Sequence, residues 1–219
     1  MPQRLEIALK PELVDSEGES LRRKARDYFG TALQTVRTVQ ILTIDADLAA
    51  EQLETVRREV FTNPVTQISA FTPLPLVFDW CLWVGFRPGV RDNAGATAVE
   101  AIEDILGLRL KPGEAVYTSR RFAVSGRGLT RGQVEAIAGE LLANDIIQQW
   151  RVFSRDEWDP VDGVGIVIPK VRLDRPAAVA RIPIDSDETV RRISAERNLA
   201  LNPNDIPVIR AYFADPRVQ

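Results

Sequence analysis

Apolar residues recur at helical spacing in two segments of the chain that are 77 positions apart. Residues at i, i+4, i+7 and i+8 are apolar in both segments, as in an amphipathic helix with one buried face. The first set is Leu21, Ala25, Tyr28 and Phe29, and the second is Ala98, Ile102, Ile105 and Leu106. A second pair of stripes is 81 positions apart, with Leu53, Val56, Val60 and Phe61 followed by Val134, Ile137, Leu141 and Leu142. The sequence therefore predicts two helices in each half.

Short apolar, β-branched runs surround these helices and predict strands. The runs are Leu5–Leu9, Val36–Ile44, Val65–Phe71, Leu82–Phe86, Tyr117–Val124 and Ile146–Phe153. Each half then reads β-α-β-α-β. A small sheet with two helices does not complete a core by itself, so we expect the halves to pair into a shared core or a joined sheet.

The two halves also share individual residues, which indicates an internal duplication. Lys10-Pro11 aligns with Arg87-Pro88, and Asp15 and Gly18 align with Asp92 and Gly95. We expect an α+β fold of two tandem repeats in a pseudo-symmetric sandwich, with repeat 1 at 1–75 and repeat 2 at 76–158.

Residues that favour helix ends flank the first helix of each half. Ser16 with Glu19 resembles a capping box, and Asn93 occupies the equivalent cap position. Gly30 and Gly107 suit the left-handed residue that closes a helix.

The remaining segment, 159–219, reads as a linker rather than a third repeat. Two short strands are predicted at Gly165–Val171 and Val179–Ile184, followed by a helix that starts at Ser186 or Asp187. Asn202-Pro203 is predicted to cap a last helix. Its apolar stripe, formed by Ile206, Ile209 and Phe213, predicts self-association through this tail if another domain does not cover it.

Composition excludes several functional classes. Twenty-eight Lys and Arg against 31 Asp and Glu give a net charge of −3 without a basic block, so we expect no nucleic-acid partner. The chain contains no histidine, which argues against Ser-His or Cys-His catalysis and an ordinary zinc site. The single cysteine, Cys81, lies in an apolar run and is interpreted as a buried thiol. Without a signal-like or membrane-spanning stretch, the expected location is cytoplasmic, with no membrane partner.

Three polar clusters are candidate partner contacts, and each has a structural alternative. Lys10-Pro11 and Arg87-Pro88 either meet acidic groups of a partner or simply end strand pairing, and the second interpretation is favoured. The cluster Arg91-Asp92-Asn93 either receives an anion at a helix N-terminus or caps its own helix, and self-capping is favoured.

Ser119 and Arg121 form the third cluster and lie on one face of a predicted strand. That face either meets a partner or is an ordinary solvated surface, and the residues do not decide between the two.

The residues above resemble the N-terminal PurS-like region of phosphoribosylformylglycinamidine synthase, the amidotransferase of purine biosynthesis. The resemblance is carried by residues 8–13, 84–93 and 117–120, together with the tail segments 196–202 and 209–213. In that family the PurS-like unit is either a small dimerising subunit or a fused, duplicated domain. This chain resembles the fused form, with a ferredoxin-like-related unit in each half.

The resemblance implies a non-catalytic role within a ligase. The family's ATP-binding synthetase domain and Cys-His-Glu glutaminase are missing from this sequence, so the chain alone is predicted to be inactive. No catalytic, metal or cofactor-binding residue is assigned to it; ATP and Mg would belong to the whole enzyme. The implied partners are the synthetase and glutaminase domains or subunits, which this domain would dock together while helping to enclose the ammonia path. The alternative is a stand-alone ferredoxin-like regulatory module that binds a metabolite, because fold does not fix function.

Overall fold

Six strands in the first of two units of the chain pair into one antiparallel sheet. The computed structural model describes residues 1–171 and 182–218, and the chain divides into the units Met1–Val171 and Arg172–Gln219. The strands are β1 (Gln3–Leu9), β2 (Thr35–Asp45), β3 (Gln67–Ala70), β4 (Trp80–Phe86), β5 (Ala115–Ser125) and β6 (Gln148–Ser154). Their order across the sheet is β3-β1-β2-β5-β4-β6.

Four helices accompany this sheet, two in each half. They are α1 (Ser16–Phe29), α2 (Ala50–Val56), α3 (Asn93–Leu106) and α4 (Arg131–Ala136). A π-helical turn extends α2 through Arg57–Phe61 and α4 through Ile137–Leu142. The α+β class and the β-α-β-α-β order of each half are therefore as predicted.

The pairing of β2 with β5 joins the two halves. Gln40 pairs with Arg120, 80 positions further along, and the register runs from Thr35 opposite Ser125 to Asp45 opposite Ala115. The two counterpart strands are therefore paired along their whole length, with the Gln40–Arg120 pair at the centre. The structure has both arrangements expected from the sequence, a joined sheet and a core shared between the halves.

The helices pack on one face of the sheet and share their core between the halves. One cluster combines Leu21 of α1 with Val134 of α4, and another combines Val56 of α2 with Ile102 of α3. The predicted stripes are correct at these positions but wrong at Tyr28 and Ile105. These two side chains are 75% and 47% exposed, because the i+7 position falls at the rim of the buried face.

Irregular segments cover the opposite face of the sheet. Leu74, between the halves, and Val164, after β6, pack with Trp83 of β4. Residues 159–171 thus belong to the first unit, whereas the sequence assigned them to the linker.

The predicted strand Gly165–Val171 does not form. Gly165 has a φ of 76°, which is incompatible with extended backbone, and Pro169 has no N–H to donate to a ladder. Of the other predicted tail strand, residues 179–181 lie outside the described residues and 182–184 form no strand.

The described part of the second unit contains α5 (Asp187–Glu196) and α6 (Asp205–Ala214). α5 starts at Asp187, one of the two predicted starts, and Ser186 caps it, because its side chain accepts from Thr189 N–H at 3.1 Å. The N-cap of α6 is Asn204 rather than Asn202, whose side-chain oxygen instead accepts from Asn204 N–H at 3.0 Å. No helix within residues 1–171 and 182–218 is long and apolar enough to cross a membrane.

Candidate partner interface

The Lys10-Pro11 loop is held by an arginine from the neighbouring strand. Arg37 donates to the backbone carbonyls of Leu9, Lys10 and Leu13 at 2.6, 3.0 and 3.0 Å. Pro11 is exposed and Lys10 is half-buried. Pro11 is therefore exposed to solvent, on a loop whose backbone is held in place by hydrogen bonds from Arg37.

The Arg87-Pro88 loop occupies the equivalent place in the second half and is held differently. Arg87 donates through its backbone N–H to Ile147 O and through Nε to Asp145 O, both at 2.9 Å. Arg87 and Pro88 are both exposed. Lys10 N–H likewise donates to Thr66 O, so each cation extends its strand ladder by one bond before the proline ends it.

Asp15 and Asp92 cap α1 and α3, one residue earlier than the predicted caps Ser16 and Asn93. Asp92 accepts from Gly95 N–H at 2.7 Å and from Thr118 N–H at 2.5 Å, and Asp15 makes the matching bonds to Gly18 and Thr38. Each carboxylate therefore joins a helix start to a strand. Self-capping, the favoured interpretation, holds for Asp92, while Arg91 and Asn93 are exposed beside it.

The expected exposure of Arg121 is wrong. Its side chain is 0% exposed, while Ser119 on the same strand face is half-buried. Strand alternation correctly places the two on one face, but Leu74 and Trp158 cover Arg121: Leu74 O accepts from Nη2 at 2.9 Å, and the Trp158 ring lies 5.1 Å from Cζ. Because it is fully buried in the first unit, Arg121 cannot contact a partner.

Arg121 instead belongs to a buried cluster that the sequence analysis did not identify. Glu6 Oε2 accepts from Arg121 Nη2 at 2.7 Å and from Leu74 N–H at 2.8 Å. Arg4 lies on the other side of Glu6, with Nε 3.5 Å from Oε1, and donates to the carbonyls of Asp162 and Gly165. The sequence signal was the alternation of Arg4 and Glu6 along β1, which places both on the face opposite the helices.

The cluster contains two buried cations and one anion. Arg4 Nε, Glu6 Oε1 and Arg121 Nη1 are buried without a hydrogen-bond partner among the described residues. Burial lowers the pKa of Arg4, an effect that the Glu6 carboxylate opposes. An arginine remains protonated at neutral pH, so these guanidinium groups can bind and orient but do not exchange protons.

Cys81 is a buried free thiol, as the sequence predicted. Burial raises its pKa to about 12, although the neighbouring Arg121 acts in the opposite direction. The thiolate is the nucleophilic form, so this cysteine is unreactive near neutral pH.

All four tryptophans pack against other residues of the first unit. Trp83 is 2% exposed, Trp80 and Trp150 lie against the α1–α4 cluster, and Trp158 meets Phe78 edge-on at 5.3 Å.

A polar cleft of about 870 Å³ lies between β3 and the π-helical turn after α2. Arg57, Arg58, Thr62 and Ser69 line it, and Arg57 is held by Ser69 Oγ at 2.9 Å and by an ion pair with Glu54. The repeat pattern does not predict this cleft, because the residue equivalent to Arg57 in the second half is Ala138. Within the described ranges, no three Asp, Glu or Cys side chains are grouped so as to hold a metal ion.

No protein-family model matches this chain, and no curated protein matches its sequence.

Proposed function

We propose that this chain is a non-catalytic assembly domain of phosphoribosylformylglycinamidine synthase, built from two PurS-like repeats. In this role it docks the glutaminase on the synthetase and helps to enclose the path of ammonia between them. The proposal places the chain in the cytoplasm with a purine-synthesising ligase, whose ATP and Mg bind to the synthetase.

Beside the motif resemblance, the observation that carries the proposal is that both halves contain the same set of local contacts. In each half an aspartate caps the first helix and bonds the neighbouring strand, and the cation-proline pair before it ends the first strand. The two halves share one sheet through counterpart strands. A duplicated, fused PurS-like domain accounts for all of these features together.

The exposed residues of the equivalent loops are the proposed docking contacts. Pro11, Arg87, Pro88, Arg91 and Asn93 are exposed, and Lys10, Asp92 and Ser119 are partly so. Because Arg37 and the turn before β6 hold the loop backbones, these contacts would be formed without ordering a flexible segment.

The test is to combine this chain with the synthetase and glutaminase of the same organism. We expect a complex that makes formylglycinamidine ribonucleotide from glutamine, and no turnover of ATP or glutamine by the chain alone. Reversing two exposed charges with Arg87→Glu and Arg91→Glu should weaken complex formation, whereas Arg22→Glu on α1 is the matched control. Turnover by the isolated chain that a point mutation in it abolishes would overturn the proposal, as would the absence of any complex.

The cleft beside β3 favours the second candidate, a metabolite-binding regulatory module. Two arginines and two hydroxyl side chains line it together with Glu59. Because Arg57 is already paired with Glu54, Arg58 and the hydroxyl groups are what remains to bind a phosphate or carboxylate group. Thermal shift with anionic nucleotides and sugar phosphates tests this candidate. A shift that Arg58→Ala removes would support it, and no shift with any of them would reject it.

A further inference from the structure

The sheet has two edge strands, β3 and β6, whose outward backbone groups can be identified from the ladder. Lys10 N–H donates to Thr66 O and Arg87 N–H to Ile147 O, in register with the β1–β3 and β4–β6 pairs. In an antiparallel ladder the backbone groups of alternate residues point to the same side. Outward groups therefore belong to Gln67 and Ser69 in β3 and to the even-numbered residues in β6.

Two of the four outward groups of β3 are bonded to groups of its own half. Gln67 N–H donates to Asn63 O at 2.8 Å, and Ser69 O accepts from Arg57 Nη1 at 3.3 Å. Capping of this kind keeps an edge strand from pairing with another chain.

Both ends of β6 are closed in a similar way. Gln148 N–H donates to Asn144 O at 2.7 Å, and Ser154 N–H donates to Glu157 Oε2 at 2.8 Å. Arg131, which is ion-paired with Glu157, reaches Val152 O at 3.5 Å.

The middle of β6 stays open. Four outward groups have no hydrogen-bond partner within the described part of the chain: Gln148 O, Trp150 N–H, Trp150 O and Val152 N–H. The guanidinium that closes the equivalent place in β3 comes from Arg57, whose counterpart Ala138 has no donor. The middle of β6 thus has four open groups, whereas β3 has two, Gln67 O and Ser69 N–H, within the described part of the chain.

We infer that this open edge of β6 pairs with β6 of a second copy of the chain, antiparallel and centred on Trp150. The four open groups are complementary to themselves under a two-fold rotation. Trp150 of each copy would exchange two bonds with Trp150 of the second copy, and Val152 N–H would donate to Gln148 O of the second copy, and reciprocally. All four groups are satisfied, and the two already bonded groups, Gln148 N–H and Val152 O, are not needed.

The side chains that this pairing would bring opposite each other are also compatible with it. Gln149 would stand opposite Arg151 of the second copy, so no like charges meet directly across the new pair of strands. Arg151 is exposed, with Cζ 5.4 Å from the Trp83 ring, which keeps it on the face opposite the helices. The pairing depends on backbone groups of β6 and is independent of the proposed function.

The first test removes one backbone donor and measures the dimer of the full chain by sedimentation equilibrium. Val152→Pro deletes an outward N–H without touching the β4–β6 ladder, and Val152→Ala is the matched control that keeps it. The deletion occurs twice in a two-fold dimer, so the dissociation constant should rise roughly tenfold or more relative to Val152→Ala. Circular dichroism establishes that both variants fold.

The second test uses charge and stays informative if Val152→Pro does not fold. Gln149→Glu and Gln149→Lys both replace the amide that donates to Phe86 O at 2.9 Å, and they place opposite charges across from Arg151 of the second copy. The glutamate should tighten the dimer and the lysine should weaken it, each by roughly threefold to tenfold at low salt. At about 1 M salt, screening should make the dissociation constants of the two variants similar.

Several results would overturn the inference. One is a chain that stays monomeric at its highest soluble concentration, including a monomer that instead binds an extended peptide of another protein at this edge. Another is a dimer that responds to neither pair of variants. A third is a dimer that survives both tests but is lost on polar replacement of Ile209 and Phe213, which would assign self-association to the tail.

Discussion

Glu6 and Arg121 form an ion pair in which neither side chain is exposed, with 2.7 Å between Oε2 and Nη2. They come from β1 and β5, on either side of β2, and therefore connect the two halves of the sheet. Arg4 adds a second buried cation on the same carboxylate. Glu6 thus lies between two arginines, and we expect its loss to have a larger effect than the loss of either one.

We predict that Glu6→Gln lowers the free energy of unfolding by about 3–5 kcal/mol, because two buried guanidinium groups lose their counterion. Arg121→Gln should cost less, since Glu6 keeps Arg4 and Leu74 N–H as partners. Urea titration of both variants measures the difference. Glu17→Gln, which breaks the half-exposed pair with Arg120, is the control and should cost at most about 1 kcal/mol. An equal loss for Glu6→Gln and Arg121→Gln would contradict this account of Arg4.

Asp15→Ala and Asp92→Ala should destabilise the protein by similar amounts, about 1–3 kcal/mol each. Each substitution removes a helix cap and leaves a strand N–H without its acceptor. Ser16→Ala and Asn93→Ala are the matched controls one residue further on, and we expect changes within about 0.5 kcal/mol. Thermal or urea unfolding distinguishes the pairs. A larger loss of unfolding free energy for Ser16→Ala than for Asp15→Ala would show that Ser16, and not Asp15, caps α1.

Two glycines in helices should respond to alanine in opposite directions. A Cβ on Gly95 of α3 would lie 2.1 Å from Val116 O, a backbone atom that cannot yield without moving β5, and we expect a loss of about 1–3 kcal/mol or more. Gly132 of α4 has open space at its Cβ, so Gly132→Ala should stabilise by about 0.5–1 kcal/mol. Urea titration of the two variants checks both signs. Losses of similar size at both sites would show that α3 does not need its close approach to β5.

Sequence patterns predicted most elements of the first unit because periodicity depends on which face of an element is buried. The cap position was harder, since Asp15 and Ser16 are both good capping residues. What favours Asp15 is a tertiary contact, the bond from Thr38 N–H, which the local sequence does not contain. The joining of β2 to β5 likewise depends on contacts between distant segments.

The burial of Arg121 could not be predicted for a related reason. Alternation along β5 gives the face on which a side chain lies but not what covers that face. Here the cover is irregular chain, around Leu74 and Trp158, which has neither helical nor strand periodicity. Glu6, the partner of Arg121, is 115 positions away in sequence, so no local pattern links the two.

The buried thiol of Cys81 should make stability fall at high pH. Its pKa is raised from 9.0 to about 12 in the folded state, so above pH 9 the unfolded chain ionises while the folded chain does not. The sign is therefore a stabilisation that is complete below pH 9 and is lost progressively between pH 9 and about 12, by about 1.4 kcal/mol per pH unit. Cys81→Ala lacks this ionisation but keeps every lysine and tyrosine, so urea titrations of parent and variant from pH 8 to 11 isolate the thiol. The stability of the parent should fall more steeply than that of Cys81→Ala above pH 9, and parallel curves would show that Cys81 ionises alike in both states.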